Sequence, residues 1–255
     1  MISLFHAKTL LVVGIGACVP LALAGLPMSF QRDAAPAVVA SETVRLAPEN
    51  FHYRVAGEFT REGRPVNAPM LDRRNKKPLA IMKAQVTEAE FDRCVHDGGC
   101  RPIGLRGKAR ADMPVVGVSW EDASAYARWL SAKTGQVWRL PTDEEWVFAA
   151  GSRAKDDALD VDSTDISQRW LAKYEEESSR ERLSDRGPRP VGGFGANERG
   201  LLDLSGNVWE WTDSCFTRQT LDAGDRVIGE GTVNCGVRVI QGAHRGYTTS
   251  FIRDA

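Results

Sequence analysis

Residues 113–135 have the sequence MPVVGVSWEDASAYARWLSAKTG, and this stretch decides how the middle of the chain folds. Ser119 followed three positions later by Asp122 is a capping box, which fixes the start of a helix. Gly135 can adopt the left-handed conformation of a C-cap, so the helix is predicted to end there. Apolar residues recur between the two caps at helical spacing and predict one buried stripe: Ala123, Tyr126, Ala127 and Leu130.

Capping boxes predict the start of two further helices. Thr87 with Glu90 begins a short helix that carries Cys94 in its last turn. Thr142 with Glu145 begins another, whose acidic first turn is favoured by the helix dipole. Short helices of this kind, separated by irregular segments, predict a domain without long regular elements.

The segment at residues 191–211, VGGFGANERGLLDLSGNVWEW, is punctuated by glycine. Trp209 and Trp211 alternate around Glu210 as they would in an extended strand. Short strands, the 24 glycines of the chain and a few short helices together predict the α+β class with little regular secondary structure. The tryptophans are interpreted as core and rim packing rather than as a ligand cage.

The charges are balanced, with 33 basic and 34 acidic residues and a net charge of −1. No basic stripe is present, so we expect no nucleic-acid partner. The hydrophobic content of 42% is sufficient for a packed core.

The N-terminus predicts export. Lys8 precedes an apolar run over residues 10–26, and Ala24 ends a small-residue pattern that suits a signal-peptidase site. Residues 1–24 are therefore predicted to be a signal peptide, which would place the protein in the periplasm or another extracytoplasmic space. An uncleaved N-terminal anchor and a lipoprotein acylated at Cys18 are the alternatives, and no other membrane contact is expected.

Composition divides the remainder of the chain. Residues 25–50 are rich in Ala, Pro and polar residues and are predicted to be a linker, with the folded domain over 51–255. Within that domain, residues at about 152–190 are charged and poor in large apolar side chains, which predicts an exposed, mobile insertion.

Loss of Cys18 with the signal would leave an even number of cysteines, as an oxidising compartment favours. Two local disulfides are the simplest of the three possible pairings, and they would join Cys94 to Cys100 and Cys215 to Cys235. A zinc site would need closer spacing or more histidines than His96 alone provides.

Three stretches resemble the formylglycine-generating enzyme (sulfatase-modifying factor) family: residues 113–135, RLPTDEEW at 139–146 and NERGLLDLSGNVWEW at 197–211. A fourth, RVIQGAHRGYTTSFIRDA at 238–255, is similar to a weaker family signature. The resemblance implies a variant C-type-lectin-like fold. In the founding members it implies an oxidase that converts a sulfatase cysteine to formylglycine with copper held by two cysteines.

The resemblance places Tyr247 and Ile252 where those two thiols would lie. Only thiolates are soft enough to hold Cu(I), so we expect neither copper nor formylglycine-generating activity. A branch of the superfamily binds iron through histidines, but the four histidines here form no such motif, and iron is not expected either. The resemblance also implies a family that continues past Ala255, so a lectin-like sheet is expected to lack its last strand; either the sequence is truncated or the domain closes differently.

The resemblance implies two sites. A structural calcium ion would be held by the segment containing Asn197, Glu198, Gly200 and Leu202. The alternative is that Asn197 only caps a turn. A substrate groove would be lined by His244, Arg245, Tyr247 and Arg253, which suits a peptide, a protein or an anionic small molecule. The alternative is a solvated terminal segment.

Two functional hypotheses remain open at this point. One is an oxidoreductase-type family member that acts without the copper thiols. The other is a lectin-like binding or accessory module for another exported protein, since a fold does not fix a function.

Overall fold

The computed structural model describes residues 3–5, 41–104, 107–159, 161, 165–184 and 187–253. Within them lie the strands β1 (Ser3–Phe5), β2 (Thr43–Leu46), β3 (Asn50–Arg54), β4 (Glu58–Arg61), β5 (Arg64–Val66), β6 (Met70–Arg74), β7 (Leu79–Met82), β8 (Val137–Arg139), β9 (Glu210–Leu221), β10 (Val227–Gln241) and β11 (Arg245–Thr249). The helices are α1 (Glu88–His96), α2 (Trp120–Thr134), α3 (Asp143–Ala150) and α4 (Ile166–Ser184), and a 3-10 turn, Gly151–Arg153, follows α3.

The strands form three sheets. One has the order β2-β7-β1-β8, the second β11-β10-β9-β4-β5, and β3 pairs with β6. Strands β4 and β9 run parallel, and the other pairs of these sheets are antiparallel. Antiparallel sheets with a few separate helices confirm the predicted α+β class.

The three predicted helices have the predicted caps. In α1, α2 and α3 the hydroxyls of Thr87, Ser119 and Thr142 each accept a hydrogen bond from the backbone three residues on, and the reciprocal carboxylate bond is also present. Gly135 ends α2 in the left-handed region at φ 67°. These boundaries follow from local chemistry alone.

One continuous core joins α1, α2 and α3 to the sheets. Four of the predicted core tryptophans are buried, namely Trp129, Trp138, Trp146 and Trp211. Trp120 and Trp209 pack at the edge of this core. Both predicted disulfides are confirmed, because Cys94 is bonded to Cys100 and Cys215 to Cys235.

The structure differs from the sequence-based domain boundaries at the N-terminal side. Strand β2 lies inside the predicted linker, where it pairs with β7 and buries Leu46. The alternation of Val44 and Leu46 supplies an apolar strand face despite the Ala- and Pro-rich neighbourhood. Strand β1, from the predicted signal segment, pairs with β7 and β8. The rest of that segment, residues 6–24, lies outside the described residues.

Two further elements were not foreseen. The charged insertion contains α4, which exposes Ile166, Trp170 and Tyr174 at a spacing of four residues. The hairpin of β9 and β10 has strands of 12 and 15 residues rather than short ones, and its pairing register shifts at three places. None of the helices in the described ranges is long and apolar enough to cross a bilayer.

Candidate functional site

Strand β11 carries two of the predicted groove residues on one face. Arg245 pairs with Gln241 of β10, and Tyr247 pairs with Val239. Because side chains alternate along a strand, Arg245 and Tyr247 point the same way. Their partners lie in β3 and in the loop that follows it: Arg245 donates to the carbonyl oxygen of Arg54, and the N–H of Gly57 donates to the Tyr247 hydroxyl at 2.7 Å. This face of β11 is the candidate site.

The Arg245 guanidinium is buried among carboxylates, with its side chain only 5% exposed. Nη2 lies 3.2 Å from Asp143 Oδ2, and Nη1 lies 3.0 Å from Asp157 Oδ2. Burial on its own lowers the pKa of Arg245, but the charges of Asp143 and Asp157 outweigh it and raise the pKa above its usual value. The guanidinium therefore stays charged.

Asp143, the first residue of α3, is the buried anion of the site, with 0% exposure. Its carboxylate accepts hydrogen bonds from the Tyr53 hydroxyl at 2.8 Å and from Gln241 Nε2 at 2.6 Å. Burial, together with the nearby Asp143 charge, raises the pKa of Tyr53, so the phenol remains a donor. A buried carboxylate with this many donors is a satisfied structural centre rather than a free base.

Tyr247 is held in its neutral form. Burial raises the pKa of its phenol to about 12, although Arg245 acts in the opposite direction. The ring meets Phe216 edge to face at a centroid distance of 5.3 Å, and one side of the residue remains accessible. At neutral pH this side chain offers a ligand a hydroxyl and an aromatic edge, and no phenolate for a metal.

The other two groove candidates have different partners. Arg253 donates two hydrogen bonds to Asp122, at 2.9 and 3.0 Å, and so ties the C-terminal segment to the start of α2. The His244 ring packs edge-on against Trp209 at 4.6 Å. Of the four predicted residues, the structure brings Arg245 and Tyr247 together and gives Arg253 a place in a helix cap.

Several site residues were missed by the sequence analysis: Tyr53, Arg54, Asn67, Asp156 and Asp157. Asp143 lies in the RLPTDEEW motif but was interpreted only as an acid of the first helical turn. Asp156 and Asp157 belong to the insertion that was expected to be exposed. No local pattern signals these residues, because they meet partners about 90 or more positions away.

The residues do not fit the family's copper. All four cysteines in the described part of the chain are in disulfides. Tyr247 and Ile252 have no thiol, and the described His, Cys, Asp and Glu side chains form no cluster of three or more that could hold a metal ion.

In the predicted calcium segment, the side chains of Asn197 and Glu198 are engaged in hydrogen bonds. Asn197 Oδ1 accepts the N–H groups of Arg199 and Leu201 at 3.0 and 2.9 Å, and its Nδ2 donates to two carbonyl oxygens at the end of α3. The Glu198 carboxylate accepts from the amide and hydroxyl of Ser152. Asn197 therefore caps a turn, and as arranged it offers no free side-chain oxygen to calcium. Calcium binding, which the resemblance assigns to the Asn197 side chain and to backbone carbonyl oxygens of the segment with Glu198, Gly200 and Leu202, stays a prediction.

The overall arrangement resembles a solved structure, PvdO from Pseudomonas aeruginosa. The TM-score is 0.54 over 84% of this chain and 90% of PvdO, and at 22% identity the likeness concerns the fold alone. The fold thus defines an α+β domain of mainly antiparallel sheets with few helices.

Residues 31–255 match the sequence model of the sulfatase-modifying factor enzyme 1-like domain, and the chain belongs to this family. The formylglycine-generating enzyme of Mycobacterium tuberculosis is 39% identical over 112 residues, which cover 42% of this chain and 35% of that protein. The inactive C-alpha-formylglycine-generating enzyme 2 of Mus musculus is 39% identical over 117 residues, covering 44% and 35%. The match spans 35% of the length of each of these two curated relatives.

Proposed function

We propose that this protein is an exported family member that binds a peptide or protein partner at β11 and does not generate formylglycine. The observation that supports the absence of formylglycine-generating activity is that no pair of free thiols is present where copper would bind. The family's copper chemistry needs two thiolates, whereas the described cysteines are paired and the two expected positions hold Tyr247 and Ile252. The similarity to a relative named as inactive is consistent with this.

Export is supported by the two disulfides and by the signal pattern of residues 1–24. Disulfides persist in oxidising compartments and are rare in the cytosol. Cleavage after Ala24 would remove β1 from between β7 and β8, so the mature protein would lack this strand, and N-terminal sequencing of the protein from a periplasmic fraction should begin at Gly25. Retention of Met1 in a membrane fraction would instead indicate the anchor.

Partner binding is supported by the chemistry of the site. A charged guanidinium, a neutral phenol and the Trp209 ring lie on or beside β11, and such groups suit the hydrogen-bonding and aromatic contacts of a peptide or protein ligand. In a cross-linking experiment on exported protein, the partner should be captured by the wild type and lost with H244A/Y247A. Capture that is identical for both forms would place the binding elsewhere.

The missing activity is tested with a cysteine-containing sulfatase peptide, Cu(I) and oxygen. Mass spectrometry should find the peptide thiol unchanged, while the M. tuberculosis relative converts it to the aldehyde in a parallel reaction. Conversion by this protein would refute the proposal. Oxygen uptake is recorded in the same vessels, and metal-dependent uptake with thiol or catechol substrates that exceeds the uptake of a protein-free control with the same copper would favour the oxidoreductase hypothesis instead.

A further inference from the structure

The start of the insertion lies across the candidate site as if it were a bound peptide. Residues 154–159, AKDDAL, follow the 3-10 turn and are called the strap here; Ala154 is extended, and Asp156 Oδ1 accepts the Ala158 N–H at 3.1 Å. The Arg153 guanidinium fixes its beginning by donating to the carbonyl oxygens of Phe194, Gly195 and Ala196. The strap is therefore attached to the domain before it reaches the site.

The strap supplies two of the three carboxylates that pair with Arg54 and Arg245, the third being Asp143. Asp156 forms a two-pronged ion pair with Arg54, which includes an Nη2 to Oδ2 bond of 2.7 Å. Asp157 accepts both its bonds from Nη1 of Arg245, at 3.1 and 3.0 Å. The Arg54 and Arg245 side chains are 16% and 5% exposed, while the two carboxylates are 46% and 31% exposed. The two guanidiniums are therefore buried in the domain, and the two carboxylates of the strap lie nearer the surface and contact them from the solvent side.

Both guanidiniums are positioned by groups other than the strap. Arg54 Nη1 donates to the Ala68 carbonyl at 2.6 Å, and Arg245 is also held by Asp143 and by the Arg54 carbonyl. A pair of pre-oriented guanidiniums is suited to carboxylates, since the fork geometry matches two oxygens at once. Without the strap, the ion pair of Arg54 with Asp156 is lost and the site carries excess positive charge.

The strap is also recognised through its main chain. Asn67 Oδ1 accepts the Leu159 N–H at 3.1 Å, and Asn67 Nδ2 donates to the Leu159 carbonyl at 2.9 Å. This reciprocal pair contacts the backbone N–H and carbonyl of Leu159 and does not depend on its side chain. A free small anion has no backbone for Asn67 to bind.

We infer that residues 154–159 are a tethered occupant of a site for an acidic peptide segment, and that a partner segment with two adjacent carboxylates displaces them. This rests on the proposed binding function and names the ligand class. Tethering makes the strap a strong competitor through its high effective concentration. The apparent affinity of a free peptide for the intact protein then equals its intrinsic affinity multiplied by the fraction of molecules in which the strap is open.

The test uses a fluorescent AKDDAL peptide and the full chain. By fluorescence anisotropy, D156N/D157N should bind the peptide about tenfold or more tightly than the wild type does. D92N/E230Q removes the same charge at exposed positions and should behave as the wild type. Adding R54Q to D156N/D157N should abolish binding, and an AKNNAL peptide should not bind. Equal affinities for the wild type and D156N/D157N would overturn the inference.

Hydrogen exchange on the wild type tests the same inference without relying on a variant that could misfold. Excess AKDDAL should accelerate hydrogen exchange at the Leu159 amide, because displacement removes its bond to Asn67. No acceleration would refute a displaceable strap. Inorganic phosphate at equal ionic strength should not produce the effect, and if it did, the site would take anions rather than peptides. Partner capture sensitive to H244A/Y247A would survive these failures, so the two proposals are separable.

Discussion

Replacing Arg245 by Met tests whether the buried ion pair holds the candidate site together. The substitution keeps a long apolar side chain but leaves the Asp143 carboxylate, which is 0% exposed, without its cation. Removing one partner of a buried pair costs about 3–5 kcal/mol, because the remaining charge stays desolvated. The Asp157 contact is lost as well, but that carboxylate is 31% exposed and regains water. The expected loss of unfolding free energy is therefore about 3–5 kcal/mol.

The assay is urea unfolding followed by tryptophan fluorescence, for which the seven tryptophans give a strong signal. Arg218→Met is the matched control, since its ion pair with Glu58 is 62% and 55% exposed. Such a surface pair contributes less than about 1 kcal/mol. Both variants replace an ion-paired arginine by methionine, and they differ in whether the ion pair is buried or exposed.

A second substitution isolates the cause. Asp143→Asn in the R245M background removes the stranded charge while Tyr53 and Gln241 can still contact the amide. The double variant should recover part of the lost stability. The reasoning is refuted if R245M loses no more than R218M, or if R245M/D143N is less stable than R245M alone.

Three further outcomes are expected. Asn197→Ala removes three buried hydrogen bonds and one part-buried hydrogen bond to the backbone and should cost about 3 kcal/mol equally with calcium or with a calcium chelator; a loss seen only with calcium present would show that Asn197 binds the ion. Burial opposes ionisation of Asp122, but its hydrogen bonds with Arg253 and the helix cap lower its pKa. The stability that ionised Asp122 contributes is therefore full above about pH 4 and is lost as the pH falls further. Below that pH the urea midpoint of D122N should fall less steeply with acidification than the midpoint of the wild type, and an equally steep fall in both proteins would contradict this. Under limited reduction, mass spectrometry should find Cys215–Cys235 alkylated before Cys94–Cys100, because Cys235 is exposed whereas Cys94 is fully buried; the reverse order would be inconsistent with this burial.

The sequence by itself determined the features whose partners are close along the chain. The capping boxes at Thr87, Ser119 and Thr142 join residues three positions apart, so their hydrogen bonds are visible as spacing. The two disulfides span 6 and 20 positions and were the simplest pairing. The family motifs lie in the same local elements, and the α+β class followed from them.

The tertiary structure alone decided which charges meet at β11. Tyr53 and Asp143 are 90 positions apart, Arg245 and Asp157 are 88 apart, and Arg54 and Asp156 are 102 apart. Spacing rules describe neighbours within a turn or along a strand and carry no information at these separations. The same acids that composition assigned to a solvated insertion become ligands of buried guanidiniums, because the fold places desolvated positive charge beneath them and burial makes pairing obligatory.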